Sequence, residues 1–153
     1  MNTEQEQQNI QIVKDFFVGW SGGIDNIVKT FEKFFAEDCV WENLGLPTCY
    51  GRADAITFMR AFHERTNTGW AEVIFRNIVA KDNFVFTERI DNNLTTDGEQ
   101  IGPGLFPVLG IWELRDGRIK AWRDYFDPRP WAEAFPDADK APGLGNKPRS
   151  GLL

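Results

Sequence analysis

The chain has 153 residues, 42% hydrophobic and 26% charged, the balance of one globular domain with room for a real core. Its formal net charge of −6, with no Lys/Arg cluster to interrupt it, argues against a nucleic-acid partner, because an acidic surface repels phosphates. No apolar run approaches the roughly 20 residues of a membrane span, and the polar, acidic start Met1–Gln8 is not a secretory signal, so a cytoplasmic protein is expected.

In chain order, Ile10, Val13, Phe17 and Trp20 recur at spacings of three and four and predict a helix over about 5–20, ended by Gly22 and Gly23. Ile24, Ile27, Val28, Phe31, Phe34 and Phe35 predict a second helix, whose broad aromatic stripe is read as core. Cys39–Asn43 reads as a short strand, broken by Gly45 and Pro47. Gly51 leads into a third helix over about 52–66, with Ile56, Met59 and Phe62 on one face. From Trp70 the period changes to two, predicting β segments over about 70–81, 84–94, 100–114 and 118–126. Short turns at Asp82-Asn83, Thr96-Asp97-Gly98 and Asp116-Gly117 should pair them as an antiparallel meander. Pro103 and Pro107 point to a bulge or an edge in the third segment. Pro128 and Pro130 start a short closing helix through Phe135, and the tail 136–153 should add little to the core.

There is no internal repeat and no linker, so residues 1–153 form a single domain. Helices first and a sheet after them make an α+β fold. The expected architecture is cone-shaped, with the N-terminal helices packed on a strongly curved mixed or antiparallel sheet that encloses a pocket. The 13 Phe and 6 Trp, against 2 Tyr, suit an aromatic interior or a pocket lined with rings.

Several chemistries drop out. The only serines are Ser21, in a turn, and Ser150, in the tail, and neither sits in a Gly-x-Ser-x-Gly elbow. The single histidine, His63, cannot build a His-rich zinc site, and a bland place at a helix surface or pocket rim is expected for it. Cys39 and Cys49 form neither a close metal pair nor a redox pair and are expected as reduced, buried thiols. Gly102-Pro103-Gly104 lacks the third glycine and the following helix of a phosphate loop, so no nucleotide cofactor is implied.

Carboxylate chemistry remains. Strand alternation puts Val85, Thr87, Arg89 and Asp91 on one face, and Trp122, Asp124 and Phe126 on one face of the last segment. An aspartate between Trp and Phe points its charge into an apolar wall and needs a partner or a proton. Arg89 is the natural partner, giving an Asp–Arg–Asp trio. Desolvation and repulsion should raise the pKa of one carboxyl while the arginine keeps the other ionised, so one acid and one base share a pocket. The same trio also reads as a structural ion-pair network within the sheet.

At these residues the chain resembles a known family. Phe86-Thr87-Glu88-Arg89-Ile90-Asp91 and Ala121-Trp122-Arg123-Asp124-Tyr125-Phe126-Asp127 are similar to the limonene-1,2-epoxide hydrolases. Trp41-Glu42-Asn43, Leu46-Pro47 and Tyr50-Gly51-Arg52 follow that family's order, and the likeness spans about residues 9–135. The resemblance implies Asp91 as general acid, Asp124 as general base, Arg89 as the bridge between them and Asn43 as the residue that positions the attacking water. It also implies homodimers built on the open sheet face, a small apolar epoxide and water as reactants, and neither cofactor nor metal. One position departs: Trp41 stands where the family usually has a tyrosine that helps hold the water. An indole N–H can donate but not accept, so either Asn43 and Asp124 hold the water alone, or Trp41 narrows the pocket. A core tryptophan on a short strand is the plain alternative.

Three readings compete: a cofactor-free epoxide hydrolase, a ketosteroid-isomerase-like or polyketide-cyclase-like enzyme, and a ligand-binding module without catalysis. The first is the expectation.

Overall fold

The computed structural model describes residues 1–136; the rest of the tail, 137–153, lies outside the described residues. Helix α1 (Glu4–Gly19) begins where Thr3 can cap it. The Thr3 hydroxyl oxygen accepts from the Glu6 amide at 3.1 Å, and the Glu6 carboxylate accepts from the Thr3 amide at 2.8 Å. Glu6 also accepts from the Asp82 amide at 2.9 Å, which ties the start of the chain to a distant turn. Helix α2 (Ile24–Phe34) runs straight into strand β1 (Phe35–Asn43), followed by the two-residue β2 (Cys49–Tyr50) and helix α3 (Arg52–Thr66). Strands β3 (Thr68–Lys81), β4 (Phe84–Thr95), β5 (Phe106–Arg115) and β6 (Arg118–Tyr125) come next, and helix α4 (Arg129–Ala134) follows them.

The last four strands form the predicted antiparallel meander, and β1 inserts beside β6 in the parallel sense. The six-stranded order is β2-β1-β6-β5-β4-β3, a mixed sheet with helices packed on it. The predicted helix boundaries hold to within a residue or two. β1 starts four residues before the predicted Cys39, because Phe35 already pairs with Ile119.

Two expectations are corrected. The sheet is neither strongly curled nor closed: β2 and β3 are free edges among the described residues, so the expected cone does not form. Closure needs strands long enough to tilt and stagger around a barrel axis, and the β2 edge is only two residues long. The pocket is therefore walled by helices and loops above an open sheet. The third β segment begins at Phe106, not Gln100, because Gly102 and Gly104 adopt positive φ and make the preceding stretch a loop. Pro107, the second residue of that strand, pairs with Ile90 of β4 but lies before the β6 pairing, which starts at Leu109, so it stands at a local edge without a bulge, while Pro103 lies in the loop.

The aromatic interior is present. Phe16 is fully buried and its ring lies 5.3 to 5.7 Å from those of Trp122, Phe35, Phe31 and Trp112, joining α1 and α2 to the inner sheet face. Cys39 and Cys49 are both buried, and burial pushes the Cys39 thiol up to about 11. No helix among the described residues is long and apolar enough to cross a membrane.

Candidate active site

The site is assembled by strand register. On β4 the two-residue period carries Thr87, Arg89 and Asp91 on the buried face, as the alternation predicts. Gly110 of β5 lies opposite Thr87 and also opposite Asp124 of β6. The parallel β1–β6 pairing then sets Asn43 beside Asp124 and Trp41 beside Trp122. One band across four strands thus holds all five residues singled out in the sequence.

Arg89 is completely buried and lies between the two carboxylates. Its Nε donates to Asp91 Oδ1 at 3.0 Å and its Nη2 to Asp91 Oδ2 at 2.9 Å. The same Nη2 donates to Asp124 Oδ2 at 2.7 Å. Nη1 donates to Thr87 Oγ1 at 3.0 Å, and the guanidinium carbon lies 4.9 Å from the centre of the Phe17 ring. Charge-assisted bonds of this length are the strong kind, and they satisfy a cation that would otherwise be prohibitive to bury. The two neighbouring carboxylates hold Arg89 well above its usual range, so it stays protonated.

The carboxylates differ in surroundings. Asp91 takes the fork of the guanidinium, while Asp124 takes one guanidinium hydrogen and the Trp122 indole N–H, which donates to Oδ1 at 2.6 Å. Burial is the largest influence on Asp124 and pushes its carboxyl up to about 6, despite the opposing pull of Arg89. A carboxylate in that range is a better base than an ordinary aspartate and is still mostly ionised at neutral pH.

Above the trio lies a cavity of about 320 Å³, at the small end for ligand sites. Asp91, Asp124 and Asn43 reach it from the sheet, and Phe58 and Phe62 of α3 with Trp131 of α4 line it from above. Trp41 lines it as well, 3% exposed, with its indole N–H buried and unpartnered among the described residues. His63 is outside the lining; its Nδ1 lies 2.8 Å from the Thr68 carbonyl, the bland role expected of it. Among the described residues no cluster of His, Cys, Asp and Glu could hold a metal ion.

Sequence reasoning placed Thr87 and Trp122 on the right faces but missed what they do. Thr87 Oγ1 accepts from Arg89 Nη1 and, at 3.2 Å, from Trp112 Nε1. The signal was present in the alternation, since each lies two residues before a charged partner on the same face. Gly110 was not findable this way. A Cβ there would collide with Arg89 Nη1 and come within 2.6 Å of Thr87 Oγ1 and 2.8 Å of Asp124 Oδ1, so the trio has room only against a glycine.

Thr87→Val keeps the shape and removes the acceptor for two buried donors. The expected loss is about 2–4 kcal/mol, taking each unmade bond at about 1–3 kcal/mol and allowing for partial relaxation. Urea denaturation would read it; a change below about 0.5 kcal/mol would show that neither bond is made in solution.

Comparison with known proteins identifies the family of the chain. The model of the limonene-1,2-epoxide hydrolase catalytic domain matches residues 7–134. Epoxide hydrolase EphG of Mycobacterium tuberculosis is 37% identical over 100 residues, a match that spans 64% of this chain and 61% of that protein's length. Among solved structures, an LEH-like epoxide hydrolase of M. tuberculosis superposes with a TM-score of 0.67 at 28% identity, covering 94% of this chain and 89% of that one. Bal32a, from a soil-derived mobile gene cassette, has the same TM-score at 18% identity over 86% of this chain and 98% of its own, a likeness of fold alone. The family match over residues 7–134, most of the chain, leads to one statement of kinship: this chain belongs to the limonene-1,2-epoxide hydrolase family.

Proposed function

We propose that the protein is a cofactor-independent epoxide hydrolase that adds water in one step to a small lipophilic, terpene-like epoxide and releases a vicinal diol. The observation that carries this reading is Arg89 joining Asp91 and Asp124 at the floor of an aromatic cavity that Asn43 also lines. Asn43 holds the water beside Asp124, and Trp41 narrows the pocket next to it. Asp124 removes a proton from the water as its oxygen attacks one ring carbon. The ring C–O bond breaks, and its electron pair takes the proton that Asp91 carries as the neutral acid of the pair, Asp124 being its ionised partner. One water enters the product, and the net transfer is a proton from Asp91 to Asp124 by way of the reactants, reset through solvent. Arg89 keeps its positive charge throughout, so the charge of the trio is the same before and after the step. The apolar walls suit a ligand oriented by few polar groups.

An isomerase on this scaffold would need an uncharged donor for a developing oxyanion. A guanidinium locked between two carboxylates serves that need poorly, so the hydrolase reading is preferred. The proposal includes a cytoplasmic setting and a homodimer. The second copy would cover the outer sheet face, where Ile74, Val79, Phe86 and Leu109 are 39% to 59% exposed and share one side.

Turnover of a panel of terpene and aryl epoxides tests the reaction. Asp91→Asn and Asp124→Asn should each lower kcat/KM on the order of 100- to 10,000-fold with an unchanged circular dichroism spectrum. In the wild type kcat/KM should fall as pH drops through about 6, because Asp124 must be ionised to act as the base. Diol formation that survives either substitution contradicts these roles. Sedimentation should give twice the 17.5 kDa chain mass, and Leu109→Arg should reduce it to one chain; a wild-type monomer contradicts the dimer.

A further inference from the structure

Trp41, Trp122 and Trp112 are direct register partners on three adjacent strands, β1, β6 and β5. Neighbouring strands lie about 4.8 Å apart, and the indoles stack at that pitch. Trp41 and Trp122 are 5.1 Å apart at an interplanar angle of 12°, and Trp122 and Trp112 are 4.3 Å apart at 14°. Phe17 meets both Trp112 and Trp122 edge-on, at 5.4 and 5.7 Å. A ring clamped on both faces cannot turn about its side-chain bonds, so the direction of its N–H is set by the stack.

The central indole, Trp122, points its N–H at the charged trio, and Trp112 points its own at the threonine that contacts the trio. Trp122 donates to Asp124 Oδ1 at 2.6 Å, and Trp112 donates at 3.2 Å to Thr87 Oγ1, the atom that accepts from Arg89 Nη1. The third indole, Trp41, donates to nothing among the described residues and offers its face to Trp122.

We infer that the three-tryptophan stack is a positioning device, in which Trp122 is the residue that orients and tunes the Asp124 carboxylate and Trp41 is the buttress that holds Trp122 in line. With Oδ1 given to the indole and Oδ2 to the guanidinium, the plane of the carboxylate is fixed and only its remaining lone pairs are open toward Asn43 and the cavity. This gives the tryptophan at position 41 a purpose that a water-holding hydroxyl would not serve. The catalytic consequence rests on the epoxide-hydrolase reading, whereas the stack and its hydrogen bonds do not.

The charged groups that face Asp124 are Arg89 and Asp91 of β4; β1 and β5 present only the neutral Asn43 and Gly110. Loss of the indole donor leaves Arg89 as the one group holding Asp124 ionised, so its titration should move upward by about one pH unit, the worth of a bond to a charged group.

The test is NMR titration of the Asp124 carboxyl carbon in the whole chain, which needs no substrate. Trp122→Phe keeps the stack and loses the donor, and its midpoint should rise by about one unit. Trp41→Ala removes the ring that holds Trp122 in line but no bond to Asp124, so its midpoint should rise by less than that of Trp122→Phe, and no rise overturns the buttress. Equal shifts in both variants, or none in Trp122→Phe, overturn the inference. Should Trp122→Phe not fold, the wild-type indole proton of Trp122 decides: it should titrate with the Asp124 carboxyl, near pH 6, and a flat signal overturns the inference. In a chain that turns over epoxides, the acid limb of kcat/KM should move with the carboxyl midpoint. A chain that fails on epoxides but shows the carboxyl shift refutes the function and spares the stack.

Discussion

A guanidinium with no exposed surface has to be met by counter-charge on the spot, and much of this protein's inner architecture follows from that requirement at Arg89. Asp91 comes from the same strand at the same face, and Asp124 comes from two strands away. The second partner reaches Arg89 only because β5, which lies between, carries a glycine at the crossing point. Breaking any one of these contacts leaves a buried charge unpaired, which is far costlier than the pair itself is stabilising. The trio is thus a constraint on register: a slip of one residue in β4 or β6 would turn a charged group to the wrong face of the sheet.

The aromatic core and the charged trio are one construction rather than two. Phe17 of α1 lies over Arg89 and meets the edges of Trp112 and Trp122, while Phe16, one residue earlier, fills the space beneath α2. The helices shield from water a sheet face that holds the Asp91–Arg89–Asp124 trio, and that burial lifts the Asp124 carboxyl to about 6. Dryness therefore acts on chemistry as well as stability. It raises the proton affinity of Asp124, the proposed base.

Much of this was legible in the residues. Helical spacing marked α1, α2 and α3, and alternation put Arg89 and Asp91 on one face and Trp122 with Asp124 on another, because each pattern is local and periodic. The shape of the sheet was not legible. Whether six strands curl or stay open depends on twist and edge length summed over all of them, and the two-residue β2 leaves no pattern to read. The stretch before Phe106 was misread as strand because glycines at positive φ are invisible to alternation. Trp41 was the most ambiguous position. Its residue type suggested a lost hydroxyl, and only the pairing Trp41–Trp122–Trp112 across three strands gave it a structural meaning.

The central claim is that Arg89 holds two carboxylates so that one draws a proton from water while the other gives a proton to the ring oxygen, with no bond from enzyme to substrate. Single-turnover hydrolysis in water enriched in oxygen-18, with enzyme in excess over a turned-over epoxide, tests it most directly. The account predicts that the diol of that first turnover carries the label, and that the enzyme's own carboxylates do not acquire it. An unlabelled first-turnover diol, with the label later found in Asp91 or Asp124, would mean that a carboxylate attacked the ring and would contradict the account.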